Sequence, residues 1–332
     1  MTDTRYFYAC AHEQFPPDDL LRQAVEAEQA GFDGIGCSDH FQPWWEPGES
    51  GHAWVWLGAV GQATSRVPLG TAVTPAGARY HPALIAQMLT TLEILNPGRP
   101  FLGVGSGESL NESPVGMDWP DVGEQVDRME EALEIMHRLF DGERVSGGRF
   151  FKTKDAVLHT RASRRPPFYV SAFGERAAGV AGRLGDGLWT LADPEAAPPI
   201  IETYRAACSD ADRPVGEILL HAGFSWASTD EEAFEGSQVW KAAFPDEFYV
   251  DDWHSPVEMQ RHAQEQVSDD EFRSGFLIGS DLEEMADRVR EIEKLGASIV
   301  VLMNISGADP HGALRAYGES VLPALRGART AG

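Results

Sequence analysis

Short apolar runs alternate along the chain with longer stretches in which apolar residues recur every three or four positions. Tyr6–Cys10, Phe32–Cys37, Val67–Val73, Phe101–Val104, Phe168–Ala172, Gly187–Leu191, Ile218–Ser225 and Ser298–Met303 have the length and the β-branched or aromatic content of strands. Between them, Asp18–Ala30 places Leu20, Leu21, Val25, Ala27 and Ala30 at helical spacing, with Pro16-Pro17 and acids before it and Gly31 after it. The same spacing predicts helices over Ala53–Ala63, Pro82–Leu95, Val122–Phe140, Ile200–Cys208 and Pro310–Leu325, and a further one ending at Leu184. Leu282–Leu295 is a strong helix, with Ser280 as its expected N-cap and Gly296 after its end. Lys152–Leu158 reads as a surface ribbon.

Eight strands alternating with helices predict a (β/α)₈ TIM barrel, spanning residues 1–332 as one domain. A doubly wound sheet is the alternative, although it usually needs fewer units. Two stretches break the rhythm, one after strand two and one after strand seven. The second, residues 229–274, is rich in acids and aromatics and is expected to form an inserted helical cap. Barrel active sites lie at the C-terminal ends of the strands. That rule gathers Glu13, Asp39-His40, Thr74, Ser106-Gly107-Glu108, Phe173-Gly174 and Thr190 around one mouth.

Composition narrows the function. A net charge of −25 argues against a nucleic-acid partner, because phosphate backbones are bound through Lys and Arg. No stretch approaches the roughly 18 apolar residues that a membrane-spanning helix needs. The start, Met1-Thr2-Asp3-Thr4-Arg5, is polar, so the expected location is cytoplasmic. Cys10, Cys37 and Cys208 form neither a zinc pattern nor a disulfide framework and are expected to be small buried residues.

The chemistry concentrates at strand ends. The second strand runs into Ser38-Asp39-His40-Phe41-Gln42-Pro43-Trp44, in which Trp44 and Trp45 look exposed. Glu108 follows Gly105-Ser106-Gly107; glycine permits close approach of a flat ligand, and an acid at that edge can exchange a proton with it. Phe173-Gly174-Glu175-Arg176-Ala177 joins a strand to a helix N-terminus. That junction is either a phosphate site or an ordinary capped helix. Glu13, His40 and Glu108 form a carboxylate–imidazole–carboxylate set, suited to a reaction needing both a base and an acid. Metal ligation is discounted, because no His-x-x-x-His or similar spacing is present.

Four runs, His12-Glu13-Gln14-Phe15, Ser38 to Trp44, Leu69-Gly70-Thr71-Ala72-Val73-Thr74-Pro75 and Phe101 to Glu112, resemble the luciferase-like family of coenzyme F420-dependent oxidoreductases. The likeness is to its branch of glucose-6-phosphate and secondary-alcohol dehydrogenases. Arg183 to Gly187 and Ser255 to Met259 extend it over nearly the whole chain. The resemblance implies a homodimeric barrel with the deazaflavin ring in its mouth. It places Asp39, Ser106, Gly107, Asn111 and Thr190 along the cofactor, a non-proline cis peptide at Ala72-Val73 behind the ring, and Gly174 to Ala177, including Glu175 and Arg176, on the phosphate. It makes His40 the group that takes or stabilises the substrate proton, Glu108 the acid at the ring, Trp44 a stabiliser of the intermediate and Glu13 an assistant to His40.

The chain departs from that branch where the branch grips sugar phosphate. Ala192-Asp193-Pro194, Tyr249 to Trp253 and Ser274-Gly275-Phe276 stand where the resemblance implies two lysines and an arginine. An unphosphorylated alcohol, or its carbonyl in reverse, is therefore the expected substrate, and Lys241 or Arg273 are the candidates to replace the lost cations. A sugar-phosphate dehydrogenase is the alternative, followed by a flavin-dependent monooxygenase of the same fold and by a cofactor-binding carrier. Lysine occurs only at 152, 154, 241 and 294. Such an acidic, lysine-poor surface suits a salt-rich cytoplasm, where repulsion is screened; a coding bias toward arginine predicts the same composition. Activity that rises toward molar salt would support the first reading, and full activity without added salt that declines in molar salt would exclude it.

Overall fold

The structure is a computed structural model that describes residues 4–77 and 79–327. Met1, Thr2 and Asp3 of the polar start lie outside the described residues. Eight strands pair in parallel in chain order: β1 (Arg5–Cys10), β2 (Gly34–Cys37), β3 (Leu69–Thr71), β4 (Pro100–Gly105), β5 (Phe168–Ser171), β6 (Gly187–Leu191), β7 (Glu217–Trp226) and β8 (Ile299–Asn304). The ladder closes where β8 meets β1, with Ile299 beside Arg5. The helices lie between consecutive strands, which makes the fold a (β/α)₈ barrel.

Strand residues alternate between two environments, as the pleat requires. Tyr6, Tyr8 and Cys10 of β1 pack outward in the larger core beneath the helices. Phe7 and Ala9 face inward with Phe101, Tyr169, Trp189, Leu219, Ile299 and Val301, and these side chains fill the barrel. Cys10, Cys37 and Cys208 are buried and free.

Helices form where spacing and caps predict them. Ala53–Ala63, Pro82–Leu95 and Val122–Phe140 have the expected bounds. The first helix, Pro17–Ala30, has proline in its first turn, Asp18 and Asp19 beside it, and Gly31 in the left-handed region at φ 96°. Leu282–Lys294 corrects the expected cap. Asp281, not Ser280, accepts from the backbone N–H groups of Glu283 and Glu284. A charged acceptor one residue nearer the first turn serves the helix better, and Ser280 instead donates its hydroxyl to Asp230 at 2.7 Å. The surface ribbon is an antiparallel pair, Val145–Gly147 with Thr153–Ala156.

Two departures from regularity bear on the mouth. The third strand is not continuous from Val67 to Val73. It stops at Thr71, the Ala72-Val73 peptide is cis, and the ladder resumes when Thr74 and Pro75 pair with Val104 and Gly105 of β4. Residues 229–274 fold as short helical pieces, the longest being Pro256–Gln266. Hydrogen bonds attach this segment over the strand ends: Trp240 Nε1 to Gln14 at 2.8 Å, the Ser109 hydroxyl to the Trp253 carbonyl at 2.6 Å, and Gln42 Nε2 to the His254 carbonyl at 3.0 Å. Among the described residues, no helix is long and apolar enough to cross a membrane.

The end of β3 lies close against β4 at Gly103. A Cβ on Gly103 would lie 2.1 Å from the Thr71 carbonyl oxygen, which is backbone and cannot swing aside. Gly103→Ala should therefore force the two strands apart and destabilise the protein by about 1–3 kcal/mol, the usual range for overpacking. Urea denaturation measures it, and an unchanged midpoint would show that the strands can separate at no cost.

Candidate active site

The strand ends bring remote residues together. Ser38, at the exit of β2, accepts from the backbone N–H of His12 at 3.0 Å and donates its hydroxyl to Glu13 Oε2 at 2.6 Å. That link holds the Glu13 carboxylate, itself buried, beside the loop that carries His40. His40 Nε2 lies 3.4 Å from Glu13 Oε1 and 3.4 Å from Glu108 Oε2. On its other edge, His40 Nδ1 is 3.2 Å from Asn111 Nδ2. The expected carboxylate–imidazole–carboxylate set is thus assembled from the ends of β1, β2 and β4.

Trp44 and Trp45 are not exposed; each is about 3% accessible. The sequence shows only their polar loop, whereas the 229–274 segment covers both. Trp44 packs between His40, at 5.4 Å between ring centroids, and Tyr249 of that segment, at 5.3 Å. Trp45 meets Trp240 edge-on at 5.1 Å. Phe173 meets Tyr249 edge-on at 5.7 Å, so a run of aromatic rings borders the His40 end of the site.

Asp39, His40, Val73, Ser106, Gly107, Glu108, Asn111, Gly174, Arg176 and Ala177 line one cleft of about 260 Å³. Ala72 supplies the cis peptide to Val73, and Glu13 and Trp44, outside that lining, adjoin His40, with Glu13 Oε1 beside its Nε2 edge. Two expected residues are not in the lining. Thr190 is buried within β6, paired with Leu220 of β7, rather than placed beyond the strand end. Glu175 is exposed on the first turn of the helix Glu175–Leu184, whose backbone reaches the cleft without that side chain. Gly174 begins this helix with no side-chain cap, and a Cβ there would meet nothing within 4 Å. Free amide N–H groups beside open space suit an anion such as phosphate. Arg176 borders the same place and is tied back to Asp127 and to the Gly123 carbonyl.

Burial acts on two of the acids. Burial raises the Glu108 carboxyl above its ordinary range; the Glu13 charge adds to this, while His40, Arg79 and the Asn111 hydrogen bond oppose it. Burial raises Glu112 as well, against the pull of Arg79. Asp39 has three partners: the Thr74 hydroxyl at 2.6 Å, Arg79 at 2.9 Å and the Tyr80 hydroxyl at 3.2 Å. Arg79 also reaches Glu112 Oε1 at 2.6 Å. Arg79, Tyr80 and Tyr249 had no motif of their own to mark them, although Glu112 closes the Gly105–Glu112 run.

The candidate replacement cations are engaged elsewhere. Lys241 pairs with Asp269, and Arg273 sits 3.5 Å over the Phe234 ring beside Glu231. Neither lines the cleft. His12 is buried, with Nδ1 2.8 Å from the Gly51 carbonyl, and burial lowers its pKa. His254 is exposed beside Asp252.

The chain is similar to known proteins over nearly its whole length. Residues 4–298 match the family described as luciferase-like monooxygenase. An F420-dependent glucose-6-phosphate dehydrogenase of Microbacterium testaceum is 36% identical over 329 residues, 97% of each chain. An F420-dependent hydroxymycolic acid dehydrogenase of Mycobacterium tuberculosis is 35% identical, covering 95% of this chain and 87% of its own. Among solved structures, an F420-dependent secondary alcohol dehydrogenase in complex with an F420-acetone adduct superposes with a TM-score of 0.92 at 31% identity, covering 97% of this chain and 99% of its own.

Arg79 stands between two carboxylates whose side chains are each about 1% exposed. Replacing it with methionine leaves both charges buried and uncompensated. Arg79→Met should cost about 3–5 kcal/mol in chemical denaturation, and the triple variant Asp39→Asn/Arg79→Met/Glu112→Gln should recover most of that. A single variant of unchanged stability would show that the ion pairs do not hold these loops.

Proposed function

Because the chain belongs to the luciferase-like monooxygenase family, we propose that it is an F420-dependent oxidoreductase that moves a hydride between the carbinol carbon of an unphosphorylated alcohol and the deazaflavin. The observation that carries this reading is the placement of His40 between Glu13 and Glu108 at the edge of the glycine-walled cleft. The shared dependence of the similar dehydrogenases on coenzyme F420 supports it.

The residues present suit the cofactor. The uncapped helix start at Gly174, with Glu175, Arg176 and Ala177 following, would take its phosphate through backbone N–H groups. Val73, Ser106, Gly107, Asp39 and Asn111 would border its ring system. When bound, the deazaflavin supplies the carbon that exchanges a hydride with the substrate. Glu108, kept protonated to higher pH by burial, can hand a proton to the ring edge. His40 and Glu13 act on the substrate oxygen and its proton, and Trp44 packs against the reacting centre.

The substrate class follows from what borders His40. Tyr249, Trp44 and Phe173 form an aromatic wall there. Lys241 and Arg273 are spent on other partners, and Arg79 is committed to Asp39 and Glu112. Each charge-assisted bond to phosphate contributes about 1.5–3 kcal/mol. Without such donors a phosphorylated sugar loses its main attraction, whereas a neutral alcohol with an apolar body gains from the wall. On this reading the 229–274 segment is the cap that sets substrate size.

The test is a panel of alcohols, sugars and sugar phosphates with oxidised coenzyme F420. Bleaching of the cofactor with neutral alcohols is expected, and His40→Ala should slow it about 10²–10⁴-fold. Failure to bind the deazaflavin would overturn the reaction assignment. Glucose 6-phosphate turning over with the highest kcat/KM would overturn the substrate class. Oxygen uptake with reduced flavin would move the protein to the monooxygenases.

A further inference from the structure

The Asn111 amide stands between two loops, and its orientation is determined by its neighbours. Its Oδ1 accepts from the backbone N–H groups of Phe41, at 2.7 Å, and Gln42, at 3.2 Å. Backbone nitrogen can only donate, so the oxygen must be the atom on that side. The nitrogen, Nδ2, therefore faces the site. It donates to Glu108 Oε2 at 3.1 Å and directs its second hydrogen at His40 Nδ1, 3.2 Å away.

A donor aimed at Nδ1 requires a lone pair there. A neutral imidazole that accepts at Nδ1 carries its hydrogen on Nε2. The doubly protonated ring would set an N–H against the Asn111 N–H and lose that bond. Nε2 is 3.4 Å from Glu13 Oε1 and 3.4 Å from Glu108 Oε2, beyond the usual 2.7–3.2 Å of an N–H···O bond. Neither carboxylate holds the hydrogen tightly, and it remains available to a third acceptor. The groups facing the ring are Glu13 from the end of β1, Glu108 and Asn111 from the end of β4, and Trp44 from its own loop.

We propose that Asn111 fixes His40 as the Nε2-protonated tautomer, so that His40 holds the substrate oxygen as a hydrogen-bond donor and the Glu13 carboxylate exchanges the hydroxyl proton. This rests on the alcohol site proposed above. A ring nitrogen that already bears hydrogen cannot receive another, so the role of base assigned to His40 by resemblance passes to Glu13. Glu13 Oε2 accepts from the Ser38 hydroxyl, and Oε1 is the oxygen that faces His40. In alcohol oxidation the O–H bond breaks and its proton goes to Glu13 Oε1. The carbinol C–H bond breaks and its electron pair leaves with the hydrogen for the deazaflavin, while the carbon–oxygen double bond forms. His40 Nε2–H bonds to that oxygen throughout, and carbonyl reduction runs the same steps backward.

The tautomer can be read without cofactor or alcohol. In the full-length protein labelled with ¹⁵N-histidine, the His40 signals are those absent from His40→Gln. Above the pH at which the ring loses its extra proton, Nδ1 should be pyridine-like and Nε2 pyrrole-like. Asn111→Asp, which turns an acceptor toward Nδ1, should make Nδ1 pyrrole-like. The opposite pattern in the unmodified protein, or an imidazolium persisting through neutral pH, would overturn the proposal. In the loaded enzyme, His40→Gln keeps an N–H donor and should retain at least about tenfold more kcat than His40→Ala, while Glu13→Gln should lose about 10²–10⁴-fold. Equal loss in the two His40 variants, or a mild effect at Glu13, would also overturn it. The NMR outcome does not depend on the reaction assignment, so either can fail alone.

Discussion

Three charges, Asp39, Arg79 and Glu112, are buried where the loops after β2, β3 and β4 converge. Taking an ion out of water costs several kcal/mol, and the cost is recovered only where partners and hydrogen bonds are complete. Here they are: Thr74 and Tyr80 serve Asp39, and the Arg79 backbone N–H serves Glu112 at 2.8 Å. The loop bearing His40 is thereby tied to the run bearing Glu108 and Asn111. A site requiring angstrom-scale agreement among side chains from three strand ends needs such a brace, because loops by themselves are mobile.

On the proposed reading, burial also acts in two ways beside His40. It raises the Glu108 carboxyl above its ordinary range, which favours the protonated form, and it makes the Asn111 amide a decisive hydrogen-bonding group. In water an imidazole exchanges tautomers freely. Beside a 2%-exposed amide whose oxygen is already claimed, only one tautomer leaves no donor facing a donor.

Much of the scaffold was legible in the sequence because it is local. Apolar spacing located Val122–Phe140 and Pro82–Leu95 to the residue, and the Asp39-His40 and Gly105–Asn111 runs marked two of the strand ends that meet. What was not legible depended on remote partners. Trp44 and Trp45 looked exposed because Tyr249 and Trp240, some 200 positions onward, cover them. Arg79 could not be singled out until Asp39 and Glu112 were beside it. Thr190 was counted with the rim although the expected strand, Gly187–Leu191, already contained it; the strand forms over those same residues and buries Thr190. Ser280 lost the cap to Asp281 through a one-residue difference that spacing does not resolve.

The attachment of the 229–274 segment has an evolutionary consequence. The atoms that would handle protons hang from strand ends and are braced by one another, whereas Tyr249, the middle ring of the aromatic wall beside them, arrives on an insertion between β7 and β8. Several of the hydrogen bonds that hold the insertion down run to its backbone carbonyls at Val250, Trp253 and His254. A carbonyl is present whatever side chain its residue bears. Those side chains can therefore be exchanged during divergence without releasing these anchors, so new specificities can be sampled while the acid–imidazole machinery stays intact.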